Sequence, residues 1–112
     1  MIRWAKITAR FEGFHHYPAA PVGVRFLANL HRHEFHVTVF LEQFHNDRDV
    51  EYILLKRWVQ HYCNDYSLLM PETSSCEDIA ENLARELRQK YENRRVMVEV
   101  TEDGENGALI EL

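Results

Sequence analysis

His31-Arg32-His33-Glu34-Phe35-His36-Val37-Thr38-Val39-Phe40-Leu41-Glu42 decides how this chain is read. Phe35, Val37, Val39 and Leu41 take every second position, with Arg32, Glu34, His36, Thr38 and Glu42 between them. A period of two belongs to a strand with one face buried, because successive side chains point to opposite sides of a sheet. The odd-numbered face is the inward one, and His31 and His33 lie on it.

Towards the N-terminus the same pattern recurs from Ile2 to about Phe11, where Ala5, Ile7, Ala9 and Phe11 alternate with Trp4, Lys6, Thr8 and Arg10. This predicts a neighbouring strand that also buries its odd face. Between the two, Gly13, Pro18, Pro21 and Gly23 mark an irregular connection to about Leu30, a length typical of functional loops. Downstream, His45 to Asp49 form a polar turn, and Tyr52, Leu55, Trp58, Val59 and Tyr62 recur at the spacing of an amphipathic helix. A second helix is expected after Pro71. Ser74-Ser75-Cys76-Glu77 fits a capping box there, and Ile79, Ala80, Leu83, Ala84, Leu87 and Tyr91 form its apolar stripe. Val96, Val98 and Val100 make a third strand, Asp103 to Gly107 a turn, and Ala108 to Leu112 a fourth strand. The order ββααββ predicts an α+β fold: a four-stranded antiparallel sheet carrying two helices on one face.

With 112 residues, 46% of them hydrophobic, the chain suffices for one core, so residues 1–112 are expected to form a single domain. The net charge is -5 and the basic residues are scattered among acidic ones, which argues against a nucleic-acid partner. No apolar run approaches the roughly 20 residues of a membrane span, and Met1 leads into Ile2-Arg3-Trp4 without the organisation of a signal peptide. The expectation is a soluble cytoplasmic protein with no membrane partner. Cys63 and Cys76 belong to no CxxC pair, and both are expected to be free thiols in a reducing compartment. One falls at a helix end and the other in a helix cap, where structural thiols are commoner than nucleophiles.

Strand parity supplies the main chemical clue. If the first strand's alternation continues past Phe11, Gly13 and His15 extend its inward set, and His15 joins His31 and His33 at one end of the sheet. Three neutral imidazoles commonly hold a zinc ion that keeps one position open. Glu102 ends the inward row Val96, Val98, Val100, and a carboxylate there is costly without a cationic or hydrogen-bonding partner. An HxH pair alone is a weak signal, since such pairs also occur at exposed sheet ends. His16, His36 and His45 read as ordinary polar residues.

Taken together, these segments resemble the family of 6-pyruvoyl-tetrahydropterin synthase and the 6-carboxy-tetrahydropterin synthase of queuosine biosynthesis. Phe11-Glu12-Gly13-Phe14-His15 is similar to the family's first ligand segment, and Leu30-His31-Arg32-His33-Glu34-Phe35 to its LHGH segment. Val50-Glu51-Tyr52 with Leu55-Lys56 resembles its (V/I)-D-F-x-x-L-K helix start. Ser75-Cys76-Glu77 resembles its T-x-E, and Val98-x-Val100-x-Glu102 with Gly107 its last glutamate strand. The resemblance implies the tunnelling fold (T-fold), in which subunits join sheets into a barrel as a trimer or a dimer of trimers, a homohexamer. It also implies a lyase with zinc on His15, His31 and His33. Glu102 would anchor the guanidine-like edge of a pterin, and Ser75 and Glu77 would border the pocket. The substrate implied is 7,8-dihydroneopterin triphosphate or a related pterin.

The proton-transfer groups depart from the family pattern. The family cysteine falls at about Leu27, and Val22 to Leu30 contain no cysteine. Ala28, Asn29 and Leu30 offer no carboxylate in its place. The Asp-His element best matches Asp65-Tyr66, with tyrosine in place of histidine, and a shifted gap offers His61 but loses the aspartate. Asp65, Tyr66 and His61 are therefore the candidate catalytic groups. Arg32 replaces a glycine between two ligands and points outward by parity. Three readings are consistent with this pattern: a pterin-pathway lyase with altered proton transfer, a zinc-containing pterin- or purine-binding homologue with little catalysis, and a scaffold whose zinc is purely structural, its fourth position closed by a protein group. Arg25, Lys56 and Arg57 are basic residues near the segments that would meet phosphates.

Overall fold

A computed structural model describes residues 1–112. Its elements are β1 (Arg3–His15), β2 (His31–Gln43), α1 (Tyr52–Leu69), α2 (Cys76–Lys90), β3 (Val96–Glu102) and β4 (Asn106–Glu111). A short 3-10 turn, Arg25–Ala28, interrupts the β1–β2 connection. The four strands form one antiparallel sheet in sequential order. The α+β architecture and the ββααββ order match the sequence expectation.

β1 is longer than its first apolar alternation suggests. Its buried and exposed positions alternate through Gly13 to His15, and it pairs with β2 along its whole length, from Arg3 opposite Gln43 to His15 opposite His31. The far end of this two-stranded arm is therefore a histidine pair. β3 joins β2 so that Glu102 lies opposite Phe35, one inward position from His33.

Both helices cover the inward face. Leu55, Val59 and Cys63 of α1 and Ile79, Leu83 and Leu87 of α2 join Phe35, Val37, Val39, Leu41, Val96, Val98 and Val100 in one hydrophobic cluster. Truncating a buried leucine such as Leu83 to alanine typically costs about 2–5 kcal/mol, so this single core is what holds the sheet end in place. α1 continues to Leu69, so Cys63 is in its buried interior instead of at its end. The capping box of α2 is also shifted by one residue: Ser75 is the N-cap, its side chain accepting the Asp78 N–H, and Asp78 in turn accepts the Ser75 N–H. A carboxylate stands at both 77 and 78, so the sequence pattern permits either frame.

Part of the outer edge of β1 is occupied by α1. Gln60 accepts the Arg10 N–H and donates to the Arg10 carbonyl, Lys56 donates to Thr8 O, and Ser67 donates to Glu12 O. Such side chains satisfy backbone groups that an edge strand otherwise leaves open. At the opposite side of the sheet Gly107 packs where no side chain fits, since an added Cβ would lie 1.9 Å from Val100 O. No helix is long and apolar enough to cross a membrane.

Candidate metal centre

His15, His31 and His33 converge, with ring nitrogens within 4.8 Å of one another. Their centroids are 4.6, 5.1 and 4.8 Å apart for the pairs 15–31, 15–33 and 31–33, with interplanar angles of 71°, 89° and 82°. Rings so close to mutually perpendicular meet edge to face instead of stacking. Phe35 closes the inner side, edge-on to His15 at 5.3 Å and to His33 at 6.0 Å.

The protonation pattern follows from the neighbours of the Nδ1 atoms. His15 Nδ1 is 2.8 Å from Ser74 O, His31 Nδ1 2.7 Å from Asn29 O, and His33 Nδ1 2.6 Å from Asp103 Oδ2. Carbonyls and an ionised carboxylate only accept, so each Nδ1 carries the proton and donates. In the neutral ring this leaves Nε2 as the lone-pair atom, the form in which imidazole binds a metal. The Nε2 atoms of His15 and His33 are buried and have no hydrogen-bond partner. Buried polar atoms are seldom left so, and two neighbouring orphaned ring nitrogens fit a cation well. These three histidines can hold a metal ion, and neutral imidazoles suit zinc among other divalent ions.

Asp103 holds His33 from behind. Its Oδ1 accepts the Glu34 N–H at 2.9 Å, and this bond, followed by that from His33, keeps its carboxyl below the usual carboxylate range. Asp103 has a φ of 55°, a left-handed conformation that aspartate tolerates better than most residues.

Beside the histidines lies a cleft of about 610 Å³, a size suited to a small molecule. His15, His31, Ser75, Glu77 and Glu102 line it, and so does Leu27, at the position where the family resemblance expects a cysteine. Its outer wall is the β1–β2 connection, laced by Tyr17 N–H to Leu27 O and His16 N–H to Glu72 O. Glu102 reaches the histidines directly: Oε1 is 3.6 Å from His15 Nε2, and Oε2 is 3.3 Å from His33 Nε2.

His61, Asp65 and Tyr66 do not line this cleft. Leu55, Val59 and Cys63 define the buried face of α1, so His61 and Asp65 point to solvent, where they pair with each other at 3.4 Å. Tyr66 packs edge-on against Phe11, and its hydroxyl accepts from Asn82 Nδ2. Within one chain these three expected catalytic groups are therefore not brought to the histidines. Lys56 is engaged at the β1 edge, away from the cleft.

Three residues escaped the sequence reading. Asp103 looked like a turn residue, His16 lines the cleft although it looked ordinary, and Cys76 lines it from the first turn of α2. Cys76 Sγ is 3.9 Å from Glu102 Oε1, and burial, followed by the Glu102 charge, pushes its thiol up to about 12, so it stays protonated and donates. Its position immediately after the N-cap Ser75 was the available signal. Cys63 and Cys76 are both buried free thiols. No protein-family model matches this chain, and no curated protein matches it.

Proposed function

We propose that this chain is a zinc-dependent pterin-pathway lyase or synthase with altered proton-transfer groups, acting on 7,8-dihydroneopterin triphosphate or a related pterin. The observation that carries the proposal is the convergence of His15, His31 and His33, each with an acceptor behind its Nδ1, beside a cleft lined by His15, His31 and Glu102. When bound there, zinc would act as a Lewis acid on an oxygen of the substrate side chain. His15, His31 and His33 would hold it. Glu102 would accept two parallel hydrogen bonds from the planar N–C–N edge of the pterin, a geometry that a carboxylate matches. Ser75 and Glu77 would border the ring, and the protonated Cys76 thiol would hold Glu102 in place.

On this proposal the fold is the tunnelling fold, working in the cytoplasm as a trimer or dimer of trimers with sheets joined edge to edge. Such joining through β1 requires Gln60 to release Arg10. Asp65, Tyr66 and His61 would then serve only a cleft of another subunit.

The placement of Leu27 in the cleft and of His61 and Asp65 in solvent favours a second possibility, a zinc-containing pterin- or purine-binding protein with little catalysis. General acid–base groups typically contribute on the order of 100- to 10,000-fold in rate, so their loss leaves binding largely intact while slowing turnover. Incubation of zinc-loaded protein with 7,8-dihydroneopterin triphosphate separates the two. Triphosphate release above a His31→Ala control is the outcome expected of the lyase. Saturable pterin binding that weakens in Glu102→Ala, with no release, selects the binding protein, and absence of both results removes the pterin proposal.

A further inference from the structure

The approach of Glu102 to the histidines is unusual for a group that serves a substrate alone. With every Nδ1 donating, the Nε2 atoms of His15 and His33 in the neutral, metal-binding form of the rings are lone-pair acceptors, and the carboxylate is an acceptor too. Three acceptors thus crowd together at 3.3 and 3.6 Å, and the two Nε2 atoms make no hydrogen bond that would offset the crowding. Protonated rings would donate to Glu102, yet His15 is too far for a hydrogen bond at 3.6 Å and His33, at 3.3 Å, is not aligned for one. A cation among them relieves the arrangement. Zinc–ligand bonds of about 2.0–2.1 Å place neighbouring atoms of a tetrahedron roughly 3.3–3.4 Å apart; Glu102 Oε2 stands at that spacing from His33 Nε2, 3.3 Å, and Oε1 lies slightly farther out, 3.6 Å from His15 Nε2.

We propose that Glu102 is the fourth protein ligand of the metal in the ligand-free chain, completing a three-histidine, one-carboxylate shell. Cys76 donates to Oε1, which leaves Oε2 free towards His33, and the Phe35–Glu102 register places the carboxylate one inward position from His33. The site is then closed at rest. A second step rests on the pterin proposal above: a ligand with a planar N–C–N donor edge draws Glu102 off the metal and so opens one coordination position. Substrate arrival, in this arrangement, unmasks the metal.

Cobalt(II)-loaded protein tests both steps through its visible d–d absorption, with azide as the probe for an open position. The wild-type spectrum should be unchanged by azide, whereas Glu102→Ala should respond, and its metal affinity should fall by at least about tenfold. A wild-type spectrum that shifts with azide as readily as that of the variant overturns the fourth-ligand assignment. If Glu102→Ala does not fold, zinc X-ray absorption on the wild type decides instead: three imidazoles with a carboxylate oxygen support the assignment, and three imidazoles with water overturn it. Neopterin addition should make the wild type azide-responsive. Neopterin that binds by calorimetry without altering the spectrum overturns the opening step. Neopterin that does not bind at all counts against the pterin proposal, while the azide comparison still judges Glu102 independently.

Discussion

Asp103 Oδ2 lies 2.6 Å from His33 Nδ1, and its other oxygen holds the backbone N–H of Glu34, so one side chain fixes both the tautomer of a ligand and the strand carrying it. Carboxylate partners of this kind set ring orientation and strengthen the imidazole as a donor.

Asp103→Asn makes the consequence measurable. Asparagine tolerates the positive φ at this position, so the turn is preserved. Its amide oxygen can keep the Glu34 N–H, leaving the NH2 group to face His33 Nδ1. That favours the tautomer with its proton on Nε2, which takes the Nε2 lone pair away from the metal. Zinc affinity should fall by about 10- to 100-fold in competition with a chelating dye, with an unchanged circular dichroism spectrum. Unchanged affinity in a folded variant would show that Asp103 does not support the site.

Gly107→Ala tests how tightly the β3–β4 hairpin positions Glu102. The new Cβ would meet Val100 O at 1.9 Å and Thr101 Cα at 2.6 Å, both backbone atoms that cannot rotate away. β4 must shift, and Glu102, which pairs with Asn106 in the same ladder, shifts with it. A loss on the order of 3 kcal/mol is expected in urea denaturation, with weaker metal binding in whatever fraction folds. Wild-type stability would contradict the packing described for this hairpin.

Asp49 gives a pH-dependent prediction far from the cleft. Arg94 grips its carboxylate at 2.7 and 3.3 Å and the Phe44 N–H bonds it at 2.8 Å; Arg94 first and Phe44 second lower its pKa from 3.8 to about 2. Because the folded value is below the unfolded one, its stabilising effect is complete above about pH 4 and is lost as the pH falls through about 2. Thermal melts should therefore show Asp49→Asn less stable than wild type at pH 6, with the gap closing towards pH 2. A gap independent of pH would exclude the Arg94 pair as its source.

Much of the site was legible because parity along a strand is strict. His31 and His33 share a face, His15 follows from the odd set of β1, and Glu102 ends the inward row of β3, all readable from alternation alone. The supports behind the rings were not. Ser74 O and Asn29 O are main-chain acceptors, which no side-chain pattern reports, and Asp103 acts across 70 positions from a turn whose composition looked merely polar. Cys76 was hidden for a different reason. A helix cap fixes local backbone, whereas its facing Glu102 depends on how α2 packs on β3. The family resemblance puts His61 and Asp65 forward, whereas the helical period of α1 turns them away from the core side.

Metal content is the most direct test of whether His15, His31 and His33 act together. Protein purified without chelators, supplemented with zinc and desalted should retain one zinc ion per chain by elemental analysis. A His15→Ala, His33→Ala double variant that keeps its fold should retain none. A wild type that emerges free of metal, or a double variant that binds as much as the wild type, would contradict the account.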